Sequence, residues 1–485
     1  MEKKPEFGRI RSMLFPIHKH ELRKFIPLTS MFFMISFTYS TLRSLKDIYL
    51  LKYISAEVIY YLKLLGVTPG IILITIIYGR ISKITDRDGR FNIVIAYFLV
   101  FFSLAYFVLL PNLESIKLNS LADSLNAHCS SLKNLWEAIR FWPLSLFYIN
   151  AEAWGTIALG VLFWTFVNEI TNLEQSRRIY SFLSIGAGVG LILAGTLLKY
   201  LKEDFNLTLG LSLGLIATIL VIYNNLARDI RKRPALYQVE QRPKKKKEKL
   251  SFVASFKFLA KSQYLALIAT LVICYGVVVT LFEAVWKTKI KELTAGDSNM
   301  LAEIYGNQGI FAGILSILLI VFLSAPIMNR GWRFAASMTP AIALGATLIF
   351  FLFLYFQDSL GSITALLGVS PLEMAVIFGL ANVVFIKAVK YILFDPTKER
   401  AYIPLDEESK VRGKAAVDGV GSRLGKSLGS LLLTAFLIPV LGSIDKAKYL
   451  IFFFILIMLV LWLMAINKLS VLFKKQTEET STTVE

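Results

Sequence analysis

Ionisable side chains recur inside the long apolar stretches of this 485-residue sequence. If those stretches cross a membrane, each charge near the centre costs about 3 kcal/mol on insertion scales and marks a functional candidate. Eight of the side chains are basic and four are acidic, which leaves a surplus of four positive charges. A cavity lined by them would favour an anion that carries several negative charges. They are Arg43, Lys46, Asp47, Lys63, Glu152, Glu283, Lys287, Lys387, Lys390, Asp418, Arg423 and Lys426.

Three pairs of cations are spaced three residues apart, so each pair is expected to share one helix face. Like charges repel, and a polyanion lying between them would explain why the spacing recurs. The alternative is that these side chains lie near helix ends and extend to water. The pairs are Arg43 and Lys46, Lys387 and Lys390, and Arg423 and Lys426.

Two glutamates differ in their local surroundings. Glu283 lies four residues before Lys287, an order that also suits an ion pair within one helix. Glu152 has only apolar neighbours, so another helix, a substrate or a proton must offset its cost. Because a carboxylate would repel a bound polyanion, we expect both glutamates to hold cavity lysines while the site is empty.

Catalytic chemistry has little support in the sequence. Three histidines do not form a credible metal cluster, and no catalytic residue, metal site or cofactor is predicted. The segment 419–427 resembles a phosphate-binding P-loop, but Val420 stands where that pattern requires glycine, and no strand precedes it. Its glycines instead predict a thin helix face that another helix or a ligand can approach closely.

The composition predicts the elements that must carry these residues. The chain is 55% hydrophobic and 18% charged with a mean hydropathy of +0.61, which excludes an ordinary soluble domain. A spanning helix needs roughly 20 apolar residues, and we therefore expect an all-α polytopic membrane protein with about twelve helices. The predicted spans are 25–43, 58–79, 91–110, 144–168, 180–200, 205–226, 263–286, 302–325, 333–356, 371–393, 417–440 and 447–467.

The loops rich in Lys and Arg all fall on the same side of the membrane as the N-terminus. Since basic loops favour the cytoplasm, both termini are predicted to lie on the cytoplasmic side. The most basic loop, 227–262, separates two halves of six spans, a layout typical of transporters with a central site. Its lysine run is attributed to topology and anionic lipid, and no nucleic-acid partner is predicted. The predicted divisions are an N-terminal segment 1–24, bundles 25–226 and 263–467, the linker 227–262 and a tail 468–485.

A charged turn follows the second span. Asp86, Arg87 and Arg90 resemble the Asp-Arg-x-Gly-Arg turn of the major facilitator superfamily, which stands between the second and third of twelve spans. In that superfamily the turn gates the cytoplasmic side, so these three residues are predicted to have a gating role. A loop that only sets membrane orientation is the alternative.

The segment from Phe394 to Asp406 continues from Lys410 to Asp418. These residues closely resemble the ATP/ADP translocase family of obligate intracellular bacteria and plastids. Other similar segments occur throughout the chain, from about residue 15 to residue 470. They include 39–47, 151–155, 162–171 and 275–289.

The resemblance implies a twelve-helix nucleotide transporter with a major-facilitator-like fold, in which Lys46, Glu152, Glu283 and Lys426 match the family's important charged positions. We expect exchange of external ATP for internal ADP by alternating access, with inorganic phosphate as a further candidate substrate. Because no organelle transit segment is recognised, we expect the protein to lie in the bilayer of a bacterial inner membrane. We also expect it to be a monomer. The remaining predicted substrate-binding residues are Arg43, Lys287, Lys387, Lys390 and Arg423.

Two alternatives stay open at this stage. A proton-coupled importer of nucleoside triphosphates would need a pH gradient, whereas an exchanger needs a nucleotide on the opposite side. A membrane enzyme acting on a phosphorylated lipid would need a nucleophile or metal cluster near the interface, and none is recognised in the sequence.

Overall fold

The structure is a computed structural model. It describes residues 18, 21–171, 173–233, 262–323, 327, 330–405, 413–414, 417 and 421–482. Throughout this described part the regular structure is helical. Most of the predicted linker, together with Asp418, lies outside the described residues.

Eleven helices of the described chain are long and apolar enough to cross a membrane. The helix Leu173–Tyr200 occupies the position of the fifth predicted span, and its apolar part is Ile185–Tyr200. The prediction of an all-α polytopic membrane protein is therefore confirmed. The long helices are α1 (Leu22–Tyr53), α2 (Val58–Tyr61 and Thr68–Ile84), α3 (Arg87–Leu104), α4 (Trp142–Trp154 and Trp164–Ile170), α5 (Leu173–Tyr200), α6 (Phe205–Lys232), α7 (Gln263–Thr294), α8 (Ser298–Leu318), α9 (Trp332–Tyr355), α10 (Pro371–Val389 and Asp395–Ala401), α11 (Ser422–Leu431 and Ile438–Leu441) and α12 (Ile444–Thr482).

Polar side chains cap the starts of several helices. Asp86, Asp204 and Ser262 each accept a hydrogen bond from a backbone N–H in the first turn of the following helix. Ser370 and Glu373 form a reciprocal capping box before α10. In a bilayer every backbone polar group must be satisfied internally, so capped continuous helices suit this environment.

Several long helices contain a π-helical segment, where the backbone hydrogen bonds run from residue i to residue i+5. Such segments often occur at functional sites, because they change the direction in which the following side chains point. Within the described chain they are Leu62–Val67 in α2, Ala105–Leu109 in α3, Gly155–Phe163 in α4, Leu319–Leu323 in α8, Lys390–Phe394 in α10 and Leu432–Leu437 in α11.

The first six helices meet the last six along glycine-rich faces. A Cβ atom at Gly195 of α5 would lie 2.4 Å from the carbonyl oxygen of Gly306 of α8. Gly188 and Gly313 make a similar close contact further along the same two helices. Small residues let membrane helices approach closely, and their packing replaces the hydrophobic drive that water would supply.

Shorter helices connect α3 with α4 and α9 with α10. Between α3 and α4 the chain forms Leu113–Ile116, Asn119–His128, Ser130–Leu132 and Lys133–Arg140. Arg140 pairs with Asp123 at 2.5 Å and with Glu137 at 3.0 Å. The hydrogen bond with Asp123 is the main cause that raises the pKa of Arg140 above its ordinary value. Gln357–Leu366 connects α9 with α10.

Candidate functional site

Nine ionisable side chains from six helices form a group between the two sets of six helices, here called the central cluster. Ion pairs join seven of its members directly. The other two, Lys387 and Lys426, lie within electrostatic range of Glu283 and Glu152 respectively. The central cluster consists of Arg43, Lys46, Asp47, Lys63, Glu152, Glu283, Lys287, Lys387 and Lys426.

Lys46 of α1 is held entirely by groups of the first six helices. Its Nζ atom lies 2.9 Å from Oε1 of Glu152 on α4 and 3.0 Å from Oδ1 of Asp47. The same atom lies 3.9 Å from the centre of the Tyr148 ring. With 2% of its side chain exposed, Lys46 is a buried cation that two carboxylates and an aromatic face stabilise. Another helix therefore supplies the partner that Glu152 lacks within α4.

Asp47 joins the two sets of helices. Its Oδ2 atom accepts a hydrogen bond from Nζ of Lys287 on α7 at 2.7 Å, while Oδ1 contacts Lys46. Asp47 and Lys287 are both buried. Removing one partner of such a buried pair leaves the other charge uncompensated, which is far costlier than losing a surface pair.

Glu283 of α7 is the second carboxylate that crosses between the sets of helices. It lies 3.3 Å from Arg43 of α1 and 3.5 Å from Lys63 of α2. Arg43 also donates a hydrogen bond to the hydroxyl of Tyr39 at 3.0 Å. The spacing of Glu283 and Lys287 would permit a pair within α7, but each instead contacts residues of the first six helices.

Two cations of the cluster have no ion-pair partner among the described residues. Lys387 of α10 lines a small apolar cavity together with Glu283, Val279 and Phe282. Lys426 of α11 is exposed, and the neighbouring Ser427 hydroxyl lies 3.2 Å from that of Thr68 on α2. Both lysines are therefore available to an anion or to another carboxylate.

Two predicted site residues lie apart from the cluster. Lys390 pairs with Asp395 on the same helix at 2.7 Å. The π-helical segment of α10 begins at Lys390, so the face that Lys387 belongs to is not continued there. Arg423 is partly buried and has no ion pair within the described chain. Of the cation pairs predicted on α10 and α11, only Lys387 and Lys426 therefore belong to the cluster.

Glycines bring the supporting helices close to the cluster. A Cβ atom at Gly425 would lie 2.8 Å from the carbonyl oxygen of Ile273, and one at Gly276 would lie 2.9 Å from the backbone of Gly425. The thin face predicted for α11 is therefore occupied by α7. On the other side, a Cβ atom at Gly155 would lie 2.3 Å from the Tyr39 ring, so this glycine makes room for the ring that supports Arg43.

The charged turn before α3 forms contacts among the first six helices. Asp86 caps α3 by accepting a hydrogen bond from the N–H of Gly89, and the N–H of Arg90 donates to the Asp86 carbonyl. Arg87 lies 2.9 Å from Asp88 and 3.7 Å from Glu169 at the end of α4. The predicted gating role of Asp86, Arg87 and Arg90 remains a prediction.

Asp88 is the centre of this turn, although no role is predicted for it from the sequence. It accepts a hydrogen bond from the hydroxyl of Tyr223 on α6 at 2.7 Å and lies 3.5 Å from Arg231. Asp47 and Lys63 are among the charges that the sequence predicts to line a cavity, but no substrate-binding role is predicted for them. Their positions within apolar spans were the available signal, and their partners come from distant parts of the chain.

The cluster contains six cations and three carboxylates, an excess of three positive charges. This arrangement can bind and release a polyanion, because two lysines are unpaired and the other cations can exchange a carboxylate for a phosphate oxygen. Among the described residues, no group of three His, Cys, Asp or Glu side chains could hold a metal ion.

Solved structures with a similar fold are transporters. A D-xylose-proton symporter matches with a TM-score of 0.53 at 11% identity, covering 92% of this chain and 96% of that chain. A bacterial homologue of the iron transporter ferroportin matches with a TM-score of 0.54 at 15% identity, covering 95% and 99%. The predicted major-facilitator-like fold is confirmed.

Sequence relatives cover almost the whole chain. The ADP,ATP carrier protein 1 of Chlamydia muridarum is 35% identical over 486 residues, covering 96% of this chain and 92% of that protein. The ADP,ATP carrier protein 1 of Rickettsia bellii is 34% identical over 478 residues and covers 96% of both. The family model described as TLC ATP/ADP transporter matches residues 1–473. The resemblance found in the sequence is thereby confirmed, and the chain belongs to the TLC ATP/ADP transporter family.

Proposed function

We propose that this protein exchanges external ATP for internal ADP across a bacterial inner membrane by alternating access. The observation that carries the proposal is the central cluster, whose excess of three positive charges lies between the two sets of six helices. Four of its members are buried, namely Lys46, Asp47, Glu283 and Lys287. The family and the names of its relatives supply the class of polyanion. A nucleoside diphosphate or triphosphate matches this charge better than a neutral sugar or a monovalent anion would.

Lys46 and Lys426 are the proposed phosphate ligands from the two sets of helices. Lys426 is exposed and unpaired among the described residues, so it can meet the phosphates first. Lys46 is held by Glu152 and Asp47, and incoming phosphate would replace part of that coordination. Arg43 would exchange Glu283 for a phosphate oxygen in the same way. The glutamates thus compensate the cations while the site is empty.

The contacts that cross between the sets of helices provide the gate. In addition to Asp47–Lys287, the side chain of Lys291 donates to the Leu51 carbonyl, and Tyr61 donates to the Thr434 carbonyl at 3.3 Å. These contacts gather at the end of the bundle where α1 finishes, here called the α1 end. Alternating access requires them to break so that this end can open. The turn at Asp86, Arg87 and Arg90 is proposed to act at the opposite end.

The membrane orientation follows from the basic loops. With the N-terminus, the linker 227–262 and the C-terminus in the cytoplasm, the α1 end faces outward. The protein is proposed to work as a monomer, because one chain supplies every member of the cluster. Inorganic phosphate is a further proposed substrate, leaving with ADP.

Purified protein in liposomes tests the proposal. Vesicles loaded with ADP should take up labelled ATP, and empty vesicles should take up little. Unlabelled ADP should compete strongly, and a pH gradient should not replace internal ADP. Uptake that requires a pH gradient but no internal nucleotide would contradict exchange and identify a proton-coupled importer.

A further inference from the structure

We propose that Lys387 is a positioning residue that takes over Glu283 when the α1 end opens, rather than a ligand for the transported phosphates. The inference rests on the proposed alternating-access exchange and adds a role to one lysine of the same site. The ion pairs of the central cluster differ in which set of helices contributes each partner.

The first six helices keep their carboxylates paired without outside help. Lys46 contacts Asp47 and Glu152, and all three residues lie on α1 or α4. When the α1 end opens, Asp47 loses Lys287 but retains Lys46. No carboxylate of the first six helices in the cluster is then left without a cation.

Glu283 is in the opposite situation. Both of its ion-pair partners, Arg43 and Lys63, belong to the first six helices, whereas Glu283 belongs to α7. Separation of the two sets removes both partners at once. A buried carboxylate without a counter-charge is strongly unfavourable, so opening requires a replacement cation from the last six helices.

Lys387 satisfies the requirements for that replacement. It belongs to α10, which packs against α7 within the same set of helices, and it lines the same small cavity as Glu283. It makes no ion pair within the described chain while the α1 end is closed. The cavity is otherwise lined by Val279, Phe282, Val383 and Ile386, so no competing polar group faces the lysine there.

This exchange of partners explains how the site can open and bind at the same moment. As Glu283 moves to Lys387, Arg43 and Lys63 lose their carboxylate and become available to nucleotide phosphates entering from the α1 end. Lys287 is the competing partner for Glu283, because it lies four residues further along α7 and is released from Asp47.

Cysteine labelling of the α1 end tests the inference without requiring transport. In a Cys129→Ser, Cys274→Ala background, Thr434→Cys introduces a buried thiol on the residue whose carbonyl accepts the Tyr61 hydrogen bond at the closed contact. A water-soluble maleimide added from outside reports the fraction of open protein. Lys387→Gln should lower the labelling rate at least fivefold, and adding Glu283→Gln should restore it. Lys387→Arg should label at a rate close to that of the parent.

Nucleotide binding and a matched control complete the test. Lys387→Gln should slow ATP/ADP exchange at saturating nucleotide, while the ATP affinity of the open form changes less than threefold. Lys390→Gln is the matched control, because Lys390 lies three residues from Lys387 and pairs with Asp395. Adding Glu283→Gln to this control should not raise its labelling rate in the way that it does for Lys387→Gln.

Two results would overturn the inference. One is a tenfold loss of ATP affinity in Lys387→Gln with unchanged labelling, which would make Lys387 a phosphate ligand. The other concerns the labelling rate. If Glu283→Gln restored labelling in Lys287→Gln but not in Lys387→Gln, the role would belong to Lys287. Failure of the parent protein to exchange ATP for ADP would instead contradict the proposed function, and the labelling result would remain readable.

Discussion

At the scale of single residues, two ion pairs of the central cluster join side chains that lie far apart in the chain. Arg43 and Glu283 are separated by 240 positions, as are Asp47 and Lys287. The sequence identified each of these side chains as costly, because a charge within an apolar span is visible without a structure. It could not identify the partners, since spacing rules reach only three or four residues along one helix.

The two proposed phosphate ligands give the first prediction. Lys46→Ala or Lys426→Ala should weaken ATP binding more than tenfold, because a charge-assisted contact contributes about 2 kcal/mol. Equilibrium binding of labelled ATP to purified protein measures the effect. Lys446→Ala, an exposed lysine outside the cluster, is the control and should bind as the parent does. Parent-like affinity in both cluster variants would remove these lysines from the site.

The Asp47–Lys287 pair gives the second prediction. Asp47→Asn or Lys287→Met should each destabilise the protein by about 3–5 kcal/mol, because one buried charge loses its partner. The combined variant should be more stable than the Lys287→Met single variant, although Lys46 then retains only Glu152 as a carboxylate partner. Thermal unfolding in detergent measures the three differences. Additive losses in the combined variant would show that the two side chains do not stabilise each other.

At the scale of helices, the predicted and observed elements agree closely because long apolar runs leave little choice of structure. The span predicted at 205–226 corresponds to Phe205–Lys232, and the one at 333–356 to Trp332–Tyr355. The last helix differs, since α12 continues to Thr482 instead of ending near residue 467. The apolar run ends near residue 467, but a helix can continue on polar residues beyond it, so hydropathy alone misplaces the end of the helix. Nor does hydropathy indicate π-helical segments.

The contact between α7 and α11 gives the third prediction. Gly425→Ala should destabilise the protein by about 1–3 kcal/mol, because the added methyl group would lie 2.8 Å from the Ile273 carbonyl oxygen. Gly345→Ala is the matched control, since a Cβ atom there has open space around it. In a helix interior that control should be neutral or slightly stabilising. Unfolding temperatures compare the two, and an equal response would show that α7 and α11 are not tightly packed.

At the scale of the whole molecule, net charge movement decides how exchange responds to voltage. ATP carries about four negative charges and ADP about three, so one-for-one exchange moves one negative charge inward against an inside-negative potential. That movement costs about 2.3 kcal/mol per 100 mV, whereas a tenfold concentration advantage supplies only about 1.4 kcal/mol. A phosphate that leaves with ADP would cancel the imbalance.

The fourth prediction follows from this charge movement. Exchange in vesicles should be slowed by an inside-negative potential, or be insensitive to it when phosphate leaves with ADP. Potassium gradients with valinomycin set the potential, and labelled phosphate inside the vesicles distinguishes the two results. Faster ATP entry at an inside-negative potential, without a pH gradient, would contradict both and indicate cation-coupled uptake.

The 240-residue separation of Asp47 and Lys287 also has a consequence for synthesis. Ribosomes add about 5–20 residues per second, so α1 waits on the order of tens of seconds before α7 emerges. During this interval Asp47 has its neighbour Lys46, but Arg43 has no glutamate from α7. The newly made α1 is therefore an incomplete product that the insertion machinery, nearby lipid headgroups or water must accommodate until the second half of the chain arrives.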